Sequence, residues 1–424
     1  MSSAQALYER HAFLLLQGLP RSSLVALDTY AARTDTHFEG FKLIPPGLHC
    51  LVWQAADYTD ERRDALTADG LRSAMFRYLG EREVLLREYD MAADAWTAPR
   101  GAAAGTDVVV SREHLQSMDS HLAPYPLDSA PLWSSLTEHL AKQCDTLARV
   151  FSVDLSVGDA TCDSFTPVAE RDAAATVREI RKSHDAPVST SVPVTLCFTP
   201  FTLSHSWPPN AHGKDRTRWS MDKTWLLADV MCRAAAAEET PPTHEPLLRE
   251  FELTYLLFRF VNNAAALSHW TALIALFCRA STQLGAPGFH ELHPAERDAD
   301  ETPTYAIPQL EAHLAFLRVL IAQLKALPEN CWVSELSSSE KQVLTDLLAL
   351  RSNISRSLGA WAAQLVGPRP CEQPAPPHEQ LLQAWRVLAH TCTRFDWDLD
   401  AELDEEAEAD DVDEGEDAPV VVDL

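Results

Sequence analysis

Apolar residues fall in short runs through the first third of the chain and recur at helical spacing through its last half. The first regime predicts strands. Residues 12–16 are an apolar run closed by Gly18 and Pro20, and residues 24–27 form another. Phe41-Lys42-Leu43-Ile44 meets Pro45-Pro46-Gly47, after which residues 48–53 resume the pattern. Pro-Pro-Gly between apolar runs signals a turn, because Pro fixes φ and Gly permits positive φ. Residues 73–79 and 84–89 around Gly80 resemble a hairpin. Pro131 then opens a helix with Leu132, Leu136, Leu140 and Leu147 on one face. From 151 to 193 the pattern fades into a polar, Ala-rich loop or linker. Residues 194–201 predict one more strand, and 205–218 is breaker-rich.

The helical regime starts with residues 221–237. Pro246 begins a second helix, with Leu248, Phe251, Tyr255 and Phe258 at spacings of three and four. Asn262-Asn263 marks a tight turn before a helix carrying Leu267, Trp270, Ile274 and Phe277. Leu310, Leu314, Leu317, Ile321 and Leu324 define another, bounded by Pro308 and Pro328. Ser337 and Glu340 fit a capping box ahead of Val343, Leu347, Leu350, Ile354, Leu358, Trp361 and Leu365. Residues 381–392 close the set. Successive helices on short loops imply an antiparallel or superhelical bundle, and their apolar stripes are core. The resulting fold class is α+β with two domains: a β-rich N-terminal domain (1–155), a linker (156–210) with one strand near 194–201, an all-α domain (211–398) and an acidic tail (399–424).

The tail changes the picture most. From Asp400 to Asp417 no Lys or Arg interrupts a run of carboxylates, and the sequence given then reads Ala418-Pro419-Val420-Val421-Val422-Asp423-Leu424. The acidic part buries too little apolar surface to fold alone and is expected to be disordered. The three valines favour the extended state. Two readings stay open on composition: a strand that adds itself to a foreign sheet edge, or a solubilising tail that ends in valines by chance.

Over 424 residues, 46% are hydrophobic and 23% charged, ordinary values for a globular chain with a sizeable core. The net charge of −27 disfavours direct nucleic-acid binding. Only 14 glycines disfavour Gly-rich phosphate loops. No signal peptide pattern is apparent, and no run of about 18 apolar residues spans a membrane. The nine cysteines include no C-x-x-C pair, which reads as reduced thiols in a cytosolic or nuclear protein.

Catalytic signatures such as G-x-S-x-G, the P-loop and H-E-x-x-H are missing from the sequence. Neither a cofactor nor a metal is expected. His290-Glu291-Leu292-His293 is the nearest approach to a metal pair but has no third ligand at a telling distance. His269 beside Trp270 reads as a structural histidine on a helix. His49 and Cys50 are strand neighbours pointing to opposite faces, which argues against a Cys–His pair.

The stretch Phe38-Glu39-Gly40-Phe41-Lys42-Leu43-Ile44-Pro45-Pro46-Gly47-Leu48-His49 closely resembles the F-x-G-x-K-x-I-P-P-G-x-H hallmark of the A-A-R-two splicing factor family. The resemblance continues in order. Leu122-Ala123-Pro124-Tyr125-Pro126 is similar to L-G-P-Y-P, with Ala123 for Gly. Trp219-Ser220-Met221-Asp222 resembles its H-S-M-D region, and residues 250–279 its helix pair ending H-W…C-R. Arg394-Phe395-Asp396-Trp397-Asp398 and Ala418-Pro419-Val420-Val421-Val422 resemble its R-F-x-W-D and A-P-V-V-V.

That resemblance implies a non-catalytic assembly factor for the spliceosomal U-five snRNP, present in cytoplasm and nucleus and monomeric when free. Its helical domain would be of the superhelical VHS type. The implied partner is the central scaffold protein, pre-mRNA-processing-splicing factor eight, met through its RNase H-like and Jab/MPN-like domains within a U-five snRNP precursor. Bound, the factor would delay helicase loading until released, by phosphorylation. The implied partner-binding residues are Pro419, Val420, Val421, Val422, Asp423 and Leu424. A generic VHS-like adaptor for peptides or cargo, and a hydrolase hidden in the β-rich domain, are the competing classes.

Overall fold

The computed structural model describes residues 10–35, 37–56, 71–99, 110, 112–142, 145–155, 159–169, 195–282, 309–334, 336–364 and 377–399. Among the described residues ten strands form two five-stranded sheets. One contains β1 (Ala12–Gln17), β4 (Gly40–Ile44), β7 (Val84–Asp90), β8 (Ala95–Thr97) and β9 (Leu122–Pro124), in the order β8-β7-β1-β4-β9. The other contains β2 (Leu24–Leu27), β3 (Tyr30–Arg33), β5 (Gly47–Gln54), β6 (Ser73–Leu79) and β10 (Ala160–Asp163), in the order β10-β6-β5-β2-β3.

The side-chain period of two sorts the strands into layers. Leu14 and Leu16 of β1, Val25 and Leu27 of β2, and Leu51 and Trp53 of β5 meet between the sheets, joined by Phe41 and Ile44 of β4, where a bulge at Leu43 (φ +61) shifts the alternation by one residue. Phe13 and Leu15 face the other way, against Met118 and Leu122 and beside α1 (Arg112–Ser117). Both faces of β1 are therefore covered, which is why it reads as an unbroken apolar run. Leu48, Cys50 and Val52 of β5 and Ala74 and Phe76 of β6 face outward from the second sheet into one core cluster shared with the helices.

Helices follow as α2 (Ala130–Leu136), α3 (Asp145–Phe151), α4 (Gly213–Met221), α5 (Thr224–Ala237), α6 (Glu245–Val261), α7 (Ala264–Cys278), α8 (Gln309–Ala326), α9 (Cys331–Ser334), α10 (Ser337–Gln364) and α11 (Pro377–Cys392). Pro246 stands in the first turn of α6. Asn262 ends that helix in the left-handed conformation, and the Asn263 side chain accepts from Ala266 N–H to start α7. Among the described residues no helix is long and apolar enough to cross a membrane.

Several expectations need correction. The runs around Gly80 do not form a hairpin: β6 pairs with β5 and β10, and β7 with β1 and β8, so all the edges of both strands are already taken. The turn itself closes, with Glu83 N–H donating to Gly80 carbonyl at 3.3 Å, but it carries the chain from one sheet to the other. The helix from Pro131 through Leu147 is broken into α2, a single 3-10 turn (Leu140–Lys142) and α3. Glu252 of α6 captures the N–H groups of His139 and Leu140, diverting them from helical bonding. Residues 195–201 make only an isolated bridge, Leu196 with Val168, because Thr199 N–H is taken by the Glu250 carboxylate. The presumed linker supplies β10, and the breaker-rich passage supplies most of α4. The capping box also differs: Ser337 is the first residue of α10 rather than its cap, Glu340 N–H donates to the Leu336 carbonyl at 3.1 Å, and the Glu340 carboxylate accepts the Trp397 indole N–H at 3.0 Å.

Candidate functional site

Asp28, at the β2–β3 turn, gathers the two N-terminal motifs. Its carboxylate accepts from His49 Nδ1 at 2.7 Å, Tyr125 hydroxyl at 2.8 Å and Cys50 backbone N–H at 2.9 Å. His49 Nε2 donates to the Pro45 carbonyl at 2.6 Å. Both imidazole nitrogens thus face acceptors, which requires the doubly protonated ring. Burial would lower the His49 pKa, but the Asp28 charge and the two hydrogen bonds override it and raise the value. Burial, reinforced by Asp28, pushes the Cys50 thiol well up, away from its thiolate. His49 has no idle nitrogen to act as a base, and Cys50 faces the helical core.

The rest of the hallmark is also committed internally. Pro45-Pro46-Gly47 forms a corner in which β4 stays in one sheet and β5 enters the other. Gly47 has φ +141 and Gly40 φ +135. A Cβ on Gly40 would lie 2.0 Å from the Leu14 carbonyl oxygen, so only Gly allows β4 to approach β1 there. Lys42 reaches the carbonyl and carboxylate of Asp119 at 2.7 and 2.8 Å, beside β9.

A second polar cluster fastens the sandwich to the helices. The Arg149 guanidinium of α3 meets Glu250 at 2.6 Å and Glu238 at 3.2 Å, and Arg249 meets Glu238 at 2.6 Å. Both carboxylates are fully buried as side chains. Burial alone would raise the Glu250 pKa, but Arg149 and His269 bring it down to about 2. Glu252 behaves oppositely: burial dominates and raises it to about 8 despite the two N–H donors. Asn263 Nδ2 donates to the carbonyls of Asp163 and Thr166, and Ser164 hydroxyl to Val261 carbonyl at 2.7 Å. Asp222 joins the start of α5 to the end of α7 through Thr224, Ser281 and Thr282.

His269 donates to Glu250 at 2.8 Å and stacks on Phe198 at 4.7 Å, while Trp270 N–H reaches Gln323 at 2.8 Å. It is the structural histidine that its sequence context implies. His290, His293 and the partner-binding set Pro419, Val420, Val421, Val422, Asp423 and Leu424 lie outside the described residues. Among the described residues no group of three His, Cys, Asp or Glu could hold a metal ion. Sequence reasoning passed over Asp28, Glu250 and Glu252. The available signal was a lone Asp ending the apolar run 24–27, and two carboxylates in the middle of a largely apolar helix.

Fold and polar clusters together define a protein whose buried polar side chains are spent on structure, one set inside the β-sandwich and another pinning it to a helical domain. Residues 10–151 match the AAR2 N-terminal domain, and residues 198–400 match the AAR2 C-terminal repeat region. A mouse protein, "Protein AAR2 homolog", is 22% identical over 447 residues, covering 99% of this chain and 96% of its own. A Caenorhabditis elegans protein of that name is 22% identical, covering 84% of this chain and 89% of its own. The human one is also 22% identical, over 66% of this chain and 72% of its own. The chain belongs to the AAR2 family.

Proposed function

We propose that the chain is a non-catalytic assembly factor of pre-mRNA splicing, acting on a precursor of the U-five snRNP. Its partner in this reading is the spliceosomal scaffold protein pre-mRNA-processing-splicing factor eight, engaged at the RNase H-like and Jab/MPN-like domains. Residues 419–424 add a strand to the partner's sheets, with main-chain hydrogen bonds giving affinity and alternate side chains giving specificity. The helical domain is read as VHS-like, the site of action as cytoplasmic then nuclear, and release as driven by added phosphate charge.

The observation that supports this reading is family membership across both halves of the chain. The geometry adds a physical reason. The N-terminal hallmark polar groups are consumed by internal bonds at Asp28 and Asp119, which leaves surfaces and the tail for recognition. Affinity purification of the full chain from cells, with identification of co-purifying proteins, tests it. The scaffold protein is the expected major partner. Recovery of membrane-trafficking cargo instead would favour the adaptor reading.

A further inference from the structure

Helix α8 is buried along most of its length, and of its described side chains only Glu311, Arg318 and Lys325 are exposed. Their seven-residue spacing places them on one stripe. Helix α11 packs beside it and exposes Arg386 and His390. The two helices end together: Arg394, just past α11, donates to the carbonyls of Lys325 at 2.5 Å and Leu327 at 3.3 Å. Arg386 and His390 stand four residues apart on α11 and so share one face, and Arg394 follows in the 3-10 turn (Thr393–Phe395) at its end. Acidic groups bracket this face rather than fill it. Glu311 and Glu379 stand at the helix starts, and Glu329 lies 3.9 Å from Arg394 at the far end. Arg318, Lys325 and Arg386 have no ion-pair partner among the described residues.

We propose that this cationic α8–α11 face holds the chain's own acidic segment, residues 400–417, in the free protein. Charge is complementary: the segment carries twelve carboxylates and no Lys or Arg. Position is favourable as well. Trp397 packs on Trp332 at 4.6 Å and Leu399 is buried, so the chain emerges within a few residues of Arg394. The span from Arg394 to Arg386 is about 12 Å along a helix, while ten extended residues reach about 33 Å. Tethering puts the carboxylates at a millimolar-scale effective concentration.

Each contact joins exposed charges and is weak, so the dock depends on several at once and is screened by salt. Holding residues 400–417 keeps Val420, Val421 and Val422 close to this chain's own surface. A partner that takes the strand then competes with the α8–α11 face. That consequence rests on the proposed function. The contact itself does not, and its test uses the free chain alone, so each can fail without the other.

Zero-length carbodiimide coupling of the full chain, read by mass spectrometry on the monomer, tests the contact. The expected result is Lys325 joined to carboxylates of 400–417 several-fold more often than the exposed Lys142, Lys214 or Lys341. The yield falls several-fold in high salt, and in Arg318→Glu combined with Arg386→Glu at unchanged melting temperature. If that double variant does not fold, Arg386→Gln alone still lowers the yield. Cross-links spread evenly over the lysines, concentrated at Lys214 of α4, indifferent to salt, or confined to covalent dimers would overturn the proposal.

Discussion

At the residue scale, Asp28 and the glycines carry the argument. Gly40 and Gly47 both need positive φ, but only Gly40 also meets backbone at 2.0 Å, whereas Gly47 has nothing within 4 Å. Gly47→Val is therefore expected to cost about 1–3 kcal/mol from backbone strain, and Gly40→Ala more, because the β1–β4 pairing must open. Melting temperatures of the two variants check this order. His49 gives a pH signature. Its pKa is raised above its ordinary 6.5, so its stabilisation is complete below that value and is lost as pH rises through the raised one. Stability curves of the native chain and His49→Gln should therefore converge as pH climbs through that window. A constant gap at all pH values would contradict the charged imidazole. The glycine turn was legible because Pro-Pro-Gly has a mechanism in the sequence alone. Asp28 was not, since its three donors come from β5 and the segment after β9 and meet only after folding.

At the element scale, periodicity located the long helices well. The apolar positions of α6, α7, α8 and α11 repeat at three and four, and the elements stand where that pattern put them. Partner choice was not legible. Local sequence described β6 and β7 correctly as strands, yet nothing local says that each has its edges filled by other strands. The break between α2 and α3 has the same origin: a carboxylate more than a hundred residues away takes the backbone donors of His139 and Leu140. The Glu250 cluster allows a quantitative test. Glu250→Gln leaves Arg149 buried with one ionic partner fewer and is expected to cost about 3 kcal/mol. Glu250 is held near 2 rather than its ordinary 4.5, so its contribution is present above 4.5 and lost as pH falls toward 2. Denaturant titrations at neutral and acid pH should show the variant's deficit shrinking in acid.

At the scale of the whole molecule, four layers stack in order: α1, the β1 sheet, the β5 sheet and the helices. The last boundary is bonded as tightly as a domain interior, with a shared apolar cluster and the Arg149, Glu252 and Asn263 anchors. The two halves should therefore unfold in one calorimetric transition, and two separated transitions would contradict the shared core. The C-terminal motif does the same at the far end, where Phe395 and Trp397 close on Trp332. In the proposed function, recognition falls to what the packed body leaves over, the acidic segment and residues 418–424 beyond it.

The central claim, strand addition by residues 419–424, is tested by deleting 418–424 or by Val421→Pro. Proline removes one N–H and cannot continue a two-sided ladder. Affinity would be titrated for the RNase H-like domain, the Jab/MPN-like domain and both together, with full-length and altered chains. The expected result is an unchanged melting temperature, reduced affinity, and the largest loss in formation of the three-part complex. If that complex forms equally well without residues 418–424, the segment is a solubilising appendage and strand addition is contradicted.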